Sequence, residues 1–348
     1  MTGARKLHVE PVPARPARRR FTGGPSGAAI AVIVLSATLA VATPKFLSVD
    51  NFQVVAYSVA NLAVVAFAQM AVLSAGAMDL SVGAIGGLAA VVVGGLMQGM
   101  GISPALAIPA GLLLGTFGGA LNGILVVRTG LSAFIVTLAS ASVFTGFNLG
   151  ITSGQPFYFL PAGFKEIGSW TLAGVPGLLL LMLAIAIVLW FVFSRVGIGR
   201  QILAVGANLR AAELGGVPVN RVRIVVHALA GFLAASAGII LTARIGVAQP
   251  SIGNDWLLSS FAAPIIGGTL LSGGYLSVPG VVAGALLLTL VANGLIHLNI
   301  DPYWTQLFSG LMILGAGGID RLRTLNLHRL EREERFYHAK ASAMRADS

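Results

Sequence analysis

The chain has 348 residues, 56% of them apolar and only 10% charged, with a formal net charge of +10 and no cysteine. A soluble domain carries about 25% charged residues, so this polypeptide lacks the polar surface to face water on every side, and most of it must face lipid. Disulfide frames, thiolate metal sites and cysteine nucleophiles are excluded. The excess of Lys and Arg is weighed first against the positive-inside rule, not as a sign of nucleic acid.

Residues 1–26 set Pro11, Pro13 and Pro16 among Arg15, Arg18, Arg19 and Arg20. The basic region is long, no small-residue cleavage site follows, and the next apolar run opens a multi-span protein, so a cytoplasmic tail is expected rather than a signal peptide. A span needs about 20 mostly apolar residues. Ten stretches qualify: 27–43, 52–75, 80–100, 104–127, 131–151, 174–194, 222–243, 256–273, 277–298 and 303–319. The eighth is interrupted by Pro264 and by the pairs Gly267-Gly268 and Gly273-Gly274. With both termini inside, every Lys and Arg except Lys45, Lys165 and Arg244 falls on the cytoplasmic side. An odd number of spans would strand the basic tail 320–348 on the wrong side. The expectation is an all-α integral membrane protein of about ten transmembrane helices, with one membrane domain over 27–319.

Within the spans, Gly111, Gly115, Gly119 and Gly123 recur every four residues, a smooth ridge that lets another helix approach at backbone distance. Packing within the subunit is the simpler use of that ridge; a subunit interface is the alternative. Thr137, Ala141, Thr145 and Asn148 form a mildly polar stripe on the fifth span, suited to lining a solute path or to hydrogen bonds between helices. Asn61 and Gln69 add polar groups in the second. Phe157, Tyr158, Phe159 and Trp170 in the loop 152–173 suit the membrane interface.

Two glycine-rich breaks follow the same logic. In Ala75–Gly87, Asp79 lies between two apolar spans, where a carboxylate is costly and commonly functional. Asp79 or Ser81 can cap a helix starting at Leu80, and glycines at 76, 83, 86 and 87 let the backbone break or turn there. Gly267–Gly280, with Gly267, Gly268, Gly273 and Gly274, reads as a hinge or re-entrant turn.

The long polar interval 195–223 is different. Asn208 is placed as N-cap of a short helix, Leu209 to Leu214, which Gly215-Gly216 ends in a left-handed turn and Pro218 cannot continue. Arginines at 195, 200, 210, 221 and 223 hold the interval in water. No phosphate-binding loop, H-E-x-x-H pair or metal-spaced cluster occurs, so neither ATP hydrolysis nor metal catalysis is expected of this chain.

Taken together, MDLSVGAI at 78–85, NGILVVRTGLSAFIVTLASASVFTGFNLGITSGQP at 122–156, GRQILAVGANLRAAELGGVPVNRVRI at 199–224, and AQPSIGNDW at 248–256 followed by IIGGTLLSGG at 265–274 resemble a family. It is the permease subunit of ribose-type sugar ABC importers, and the resemblance covers nearly all of 28–322. It implies a type II-like importer architecture in a bacterial inner membrane. Its partners would be a second permease copy or paralogue, an extracytoplasmic sugar-binding protein, membrane lipid and a separate ATPase that holds ATP and Mg²⁺. No cofactor on this chain and no nucleic acid are implied. The motif at 199–224 is the family's coupling loop, which puts ATPase contact at Arg200, Asn208, Ala211, Ala212, Glu213 and Gly216. Asn61, Gln69, Thr137, Thr145 and Asn148 are candidates for the solute path; Asp79, Ser81, Gly83 and the four glycines of 267–274 are candidates for structure and gating. The chain departs from the family where an acidic Y-E-L-D-A-I-like run would follow Gly253-Asn254, having Trp256 to Phe261 instead, and at Pro264. A branched-chain amino acid permease, a stand-alone secondary transporter and a membrane scaffold stay open as alternatives. The secondary transporter is disfavoured because the spans hold hardly any titratable group besides Asp79.

Overall fold

The computed structural model describes residues 24–301 and eight positions between 304 and 318. Residues 1–23 of the expected N-terminal tail, the charged C-terminal segment and nine of the 17 positions of the tenth expected span lie outside the described residues. Twelve α-helices are described in chain order: α1 (Gly24–Ala42), α2 (Val49–Ser74), α3 (Val82–Met100), α4 (Pro104–Thr129), α5 (Ala133–Thr152), α6 (Ala162–Ser169), α7 (Gly177–Arg195), α8 (Gly197–Ala207), α9 (Leu209–Leu214), α10 (Val219–Ile245), α11 (Trp256–Ile266) and α12 (Val278–His297). Among the described residues seven are long and apolar enough to cross a membrane: α2, α3, α4, α5, α7, α10 and α12. The protein is a helical, multi-pass membrane protein. The only sheet described is a two-stranded hairpin pairing Thr171–Leu172 with Val175–Pro176.

α2 and α10 are the axis of the bundle. Every residue from Ala63 to Ser74 is fully buried, as expected of a helix that is apolar on all sides. α10 lies against α2, α3 and α4. The glycine ridge of α4 explains the last contact: Gly115 meets Ala235 and Gly231, Gly119 meets the His227 carbonyl, and Gly123 meets the Ile224 backbone, leaving no room for a side chain. The ridge therefore packs within the subunit. α5 is the least buried crossing helix, and its Gly146 and Gly150 have nothing within 4 Å.

Three expectations are corrected. The third span begins at Val82, not Leu80. The eighth is helical only over the 11 residues of α11, roughly 16 Å at 1.5 Å per residue, about half the hydrocarbon thickness. Ahead of α11 runs an irregular half-span, outside the expected 256–273: Ala248 lies against Gly94, Ile252 against Gly87 and Gly253 against Gly83, so it follows α3. The glycines of α3 let this backbone lie directly on the helix. Finally, Phe157 is not a free interfacial aromatic. Its backbone pairs with Ala248 in both directions at 3.0 Å and its ring packs on the core, whereas Tyr158, Phe159 and Trp170 stay exposed.

Candidate functional site

The interval after α7 folds back on the bundle. Val196 (φ −86°, ψ 144°) turns the chain, and Gly199 sits on the Val192–Phe193 backbone. α8 buries Gly199, Ile202 and Val205 while Arg200 stays exposed. At Asn208 (φ −164°) the helix stops, and the Asn208 Oδ1 accepts from the Ala211 N–H at 2.9 Å, capping α9. The stop is a paired-bond C-cap: Val217 N–H donates to the Ala212 carbonyl and Gly216 N–H to that of Glu213, both at 3.0 Å. Gly216 alone takes the left-handed conformation (φ +76°), while Gly215 stays at −79°, so only the second glycine is required by geometry.

α9 thus stands as a short, well-capped knuckle. Ala212 is 6% exposed and seats the helix on the bundle, so the side offered to solvent is Leu209, Ala211, Glu213 and Leu214, the last 78% exposed. The two leucines are not among the expected site residues, although uncovered apolar side chains in an otherwise polar interval are a visible sign of a docking surface. Glu213 and Arg210 pair at 3.3 Å with largely solvated side chains, an attraction worth under about 1 kcal/mol.

Immediately before α9, three chain breaks meet at backbone distance. Gly206 of α8 abuts the Ser74 carbonyl at the end of α2, and a side chain there would also lie 2.6 Å from Gly274 N. Gly274 N–H donates to the Ser74 carbonyl at 2.9 Å. A methyl on Gly273 would lie 2.6 Å from Gly76 N and 2.9 Å from the Gly206 Cα. Gly76, Gly273 and Gly274 all have positive φ (75°, 84°, 79°). The junction therefore has no side-chain padding, and displacement of α8 is felt directly by the turns after α2 and α11. Nearby, Gly267 meets the Gly280 backbone and Gly268 (φ +87°) reverses the chain. Gly206 and Ser74 were not among the expected site residues.

Asp79 forms the polar side of this region. It is 1% exposed. Its Oδ1 accepts from the Ser81 N–H at 2.8 Å and from the Ser81 hydroxyl at 2.6 Å, and that hydroxyl accepts from Asn122 Nδ2 at 2.8 Å. Ser81 is at the N-cap position of α3 but makes no capping bond; Asp79 instead closes a local turn of the kind aspartate favours. Leu80 N–H is held by the Thr137 hydroxyl at 3.0 Å. The Asp79 Oδ2 and Asn122 Oδ1 have no partner.

The expected path residues do not form one lining. Asn61 donates to the Ala237 carbonyl at 2.9 Å, tying α2 to α10. Thr137 is spent on Leu80. Asn148 donates to the Pro250 carbonyl at 3.0 Å, and its Oδ1 is unpartnered. Gln69 is fully buried with neither amide atom bonded, while Thr145 is half-buried on α5. Exposed polar groups lie elsewhere, along the irregular half-span, where Ser251, Asn254 and Asp255 are exposed. A carboxylate near the middle of a membrane costs roughly 2.5–3.5 kcal/mol unless water or protein receives it.

A helical bundle with seven helices of membrane-spanning length among the described residues and a capped knuckle on one face has the form of a membrane permease component. The profile described as branched-chain amino acid transport system / permease component matches residues 51–317, and the chain belongs to that family. It is 34% identical over 300 residues to the ribose import permease RbsC of Bacillus subtilis (strain 168), covering 86% of this chain and 93% of that one. It is 37% identical over 253 residues to the D-allose transport system permease AlsC of Escherichia coli (strain K12), covering 72% and 77%. With the fructose import permease FrcC of Rhizobium meliloti it shares 34% over 312 residues, covering 85% and 86%. No solved structure matches the chain.

Proposed function

We propose that this chain is the translocation subunit of an ATP-driven ABC importer for a monosaccharide. The similarity to ribose, allose and fructose import permeases supports the solute class. The observation that carries the mechanism is the backbone junction of Gly206, Ser74 and Gly274 beside the exposed α9. In this proposal the membrane domain completes ten crossings, both tails and α9 are cytoplasmic, and the membrane is the bacterial inner membrane. Two permease copies or paralogues pack together, and a binding protein delivers solute from outside. A separate ATPase holds ATP and Mg²⁺ and grips α9 through Leu209, Ala211, Glu213 and Leu214. Arg200 adds a contact, while Asn208, Ala212 and Gly216 keep α9 in shape. Closure of the ATPase displaces α8 and α9; because the junction is bare backbone, the α2–α3 turn with Asp79, Ser81 and Gly83 and the loop 267–274 move with it.

The test is Glu213→Arg combined with Gly216→Leu in the assembled importer. Membrane insertion is expected to persist while solute uptake falls at least tenfold relative to ATP hydrolysis. Unchanged uptake would refute the coupling role. Because the family description names branched-chain amino acids, the solute class is checked separately: the co-expressed binding protein should take pentoses or hexoses from a mixed panel and leave leucine, isoleucine and valine.

A further inference from the structure

The irregular half of the broken crossing carries polar groups that the transport proposal leaves unused. It descends along α3, with Ala248 at Gly94 and Gly253 at Gly83, and ends where the Trp256 ring touches Gly86 close to the Ala234 carbonyl. Ala234 lies near the midpoint of α10 (Val219–Ile245), so this turn is at the middle depth of the bundle. α11 then covers the remaining distance, with Ala263 against Gly284 and Gly267 against Gly280 at the start of α12. Non-helical backbone at such depth persists where it is buried in protein or lines a water-filled cavity. One side of this segment is buried in protein and the other is open. Ile252, Gly253 and Trp256 are buried against the helices, while Ser251, Asn254 and Asp255 are exposed on the other side. Leu257 and Leu258, next in the chain, are exposed as well. The Asp255 side chain has no hydrogen bond or ion pair among the described residues, and Asn148, which anchors the segment through the Pro250 carbonyl, has an unpartnered Oδ1 although it is 3% exposed.

We infer that Ser251, Asn254 and Asp255 line the aqueous route of the solute at mid-membrane, and that Asp255 grips it by accepting hydrogen bonds from hydroxyl groups. The inference rests on the transport proposal and moves the route away from Asn61 and Thr137, whose polar atoms tie helices together. A carboxylate has two oxygens to accept from adjacent hydroxyls, an amide can both give and accept, and neither can compensate an anion. The fitting solute is a neutral polyhydroxylated molecule, with anionic sugars turned away by charge.

Since the chain has no cysteine, single-cysteine variants of the full chain need no background removal. Ser251→Cys and Asp255→Cys should react in native membranes with a charged, membrane-impermeant methanethiosulfonate, whereas Ile187→Cys, on an exposed position of α7, should react only with a membrane-permeant maleimide. If the charged reagent reaches neither cysteine until detergent is added, the segment is covered and the inference is overturned, with the coupling test above unaffected. In the reconstituted importer, Asp255→Leu should raise the KM for ribose at least tenfold with assembly and basal ATP hydrolysis retained, and Asp255→Glu should restore most of it. An unchanged KM in Asp255→Leu would overturn the gripping role even where labelling succeeds.

Discussion

Glycine breaks the helical pattern in two places, and the chain uses the two breaks in opposite ways. At the junction of Gly76, Gly206, Gly273 and Gly274 the backbones touch directly. Along Ala248–Asp255 the glycines belong mostly to the facing helix α3, and the irregular chain turns its own polar groups outward. A bare contact transmits displacement because it has no soft side chain to absorb it, and tightly packed interiors pass strain on. A polar, half-open segment can hold water and solute. One break suits a lever, the other a lining.

The sharpest way to break this contrast is Gly206→Val. Its side chain would meet the Ser74 carbonyl and Gly274 N, and overpacking of this kind costs about 1–3 kcal/mol or more. The purified variant should melt several degrees lower in a detergent thermal ramp; an unchanged melting point would mean the junction yields easily. Next comes a paired comparison on two glycine faces. Gly119→Leu would drive into the His227 carbonyl on α10, whereas Gly146→Leu on α5 meets open space. The first should lower stability by a similar amount and the second by no more than about 0.5 kcal/mol, as read by the same ramp. Equal losses would deny that the α4 ridge packs internally. The smallest effect belongs to Arg210→Ala, which removes an exposed ion pair of 3.3 Å. Stability should change by less than about 1 kcal/mol, and less again in high salt.

Much of the knuckle was legible because its rules are local. An N-cap asparagine bonds three residues ahead, and a left-handed glycine ends a helix whatever lies around it; α9 has the expected limits for that reason. The half-span was not legible, since hydropathy reports that a segment is apolar and not whether its backbone is helical. Polar residues in the spans were ambiguous for a different reason. Thr137 and Asn148 are committed to Leu80 and Pro250, 57 and 102 residues away in the chain. A stripe on one helix cannot disclose such partners. Asp255 carries no local signal of a site, because the exposure of its side chain depends on how the irregular chain lies on α3.

By itself the sequence determined that this protein lives in lipid, roughly where its helices run, and that a capped helix interrupts them on one polar interval. Those follow from composition and from interactions a few residues long. Only the tertiary structure decided that Gly206, Ser74 and Gly274 are one contact, that the α4 ridge belongs to α10, and that the chain ahead of the 11-residue α11 is open and laid on α3. Each depends on backbones distant in sequence approaching within van der Waals reach, and glycine permits that approach without naming its partner.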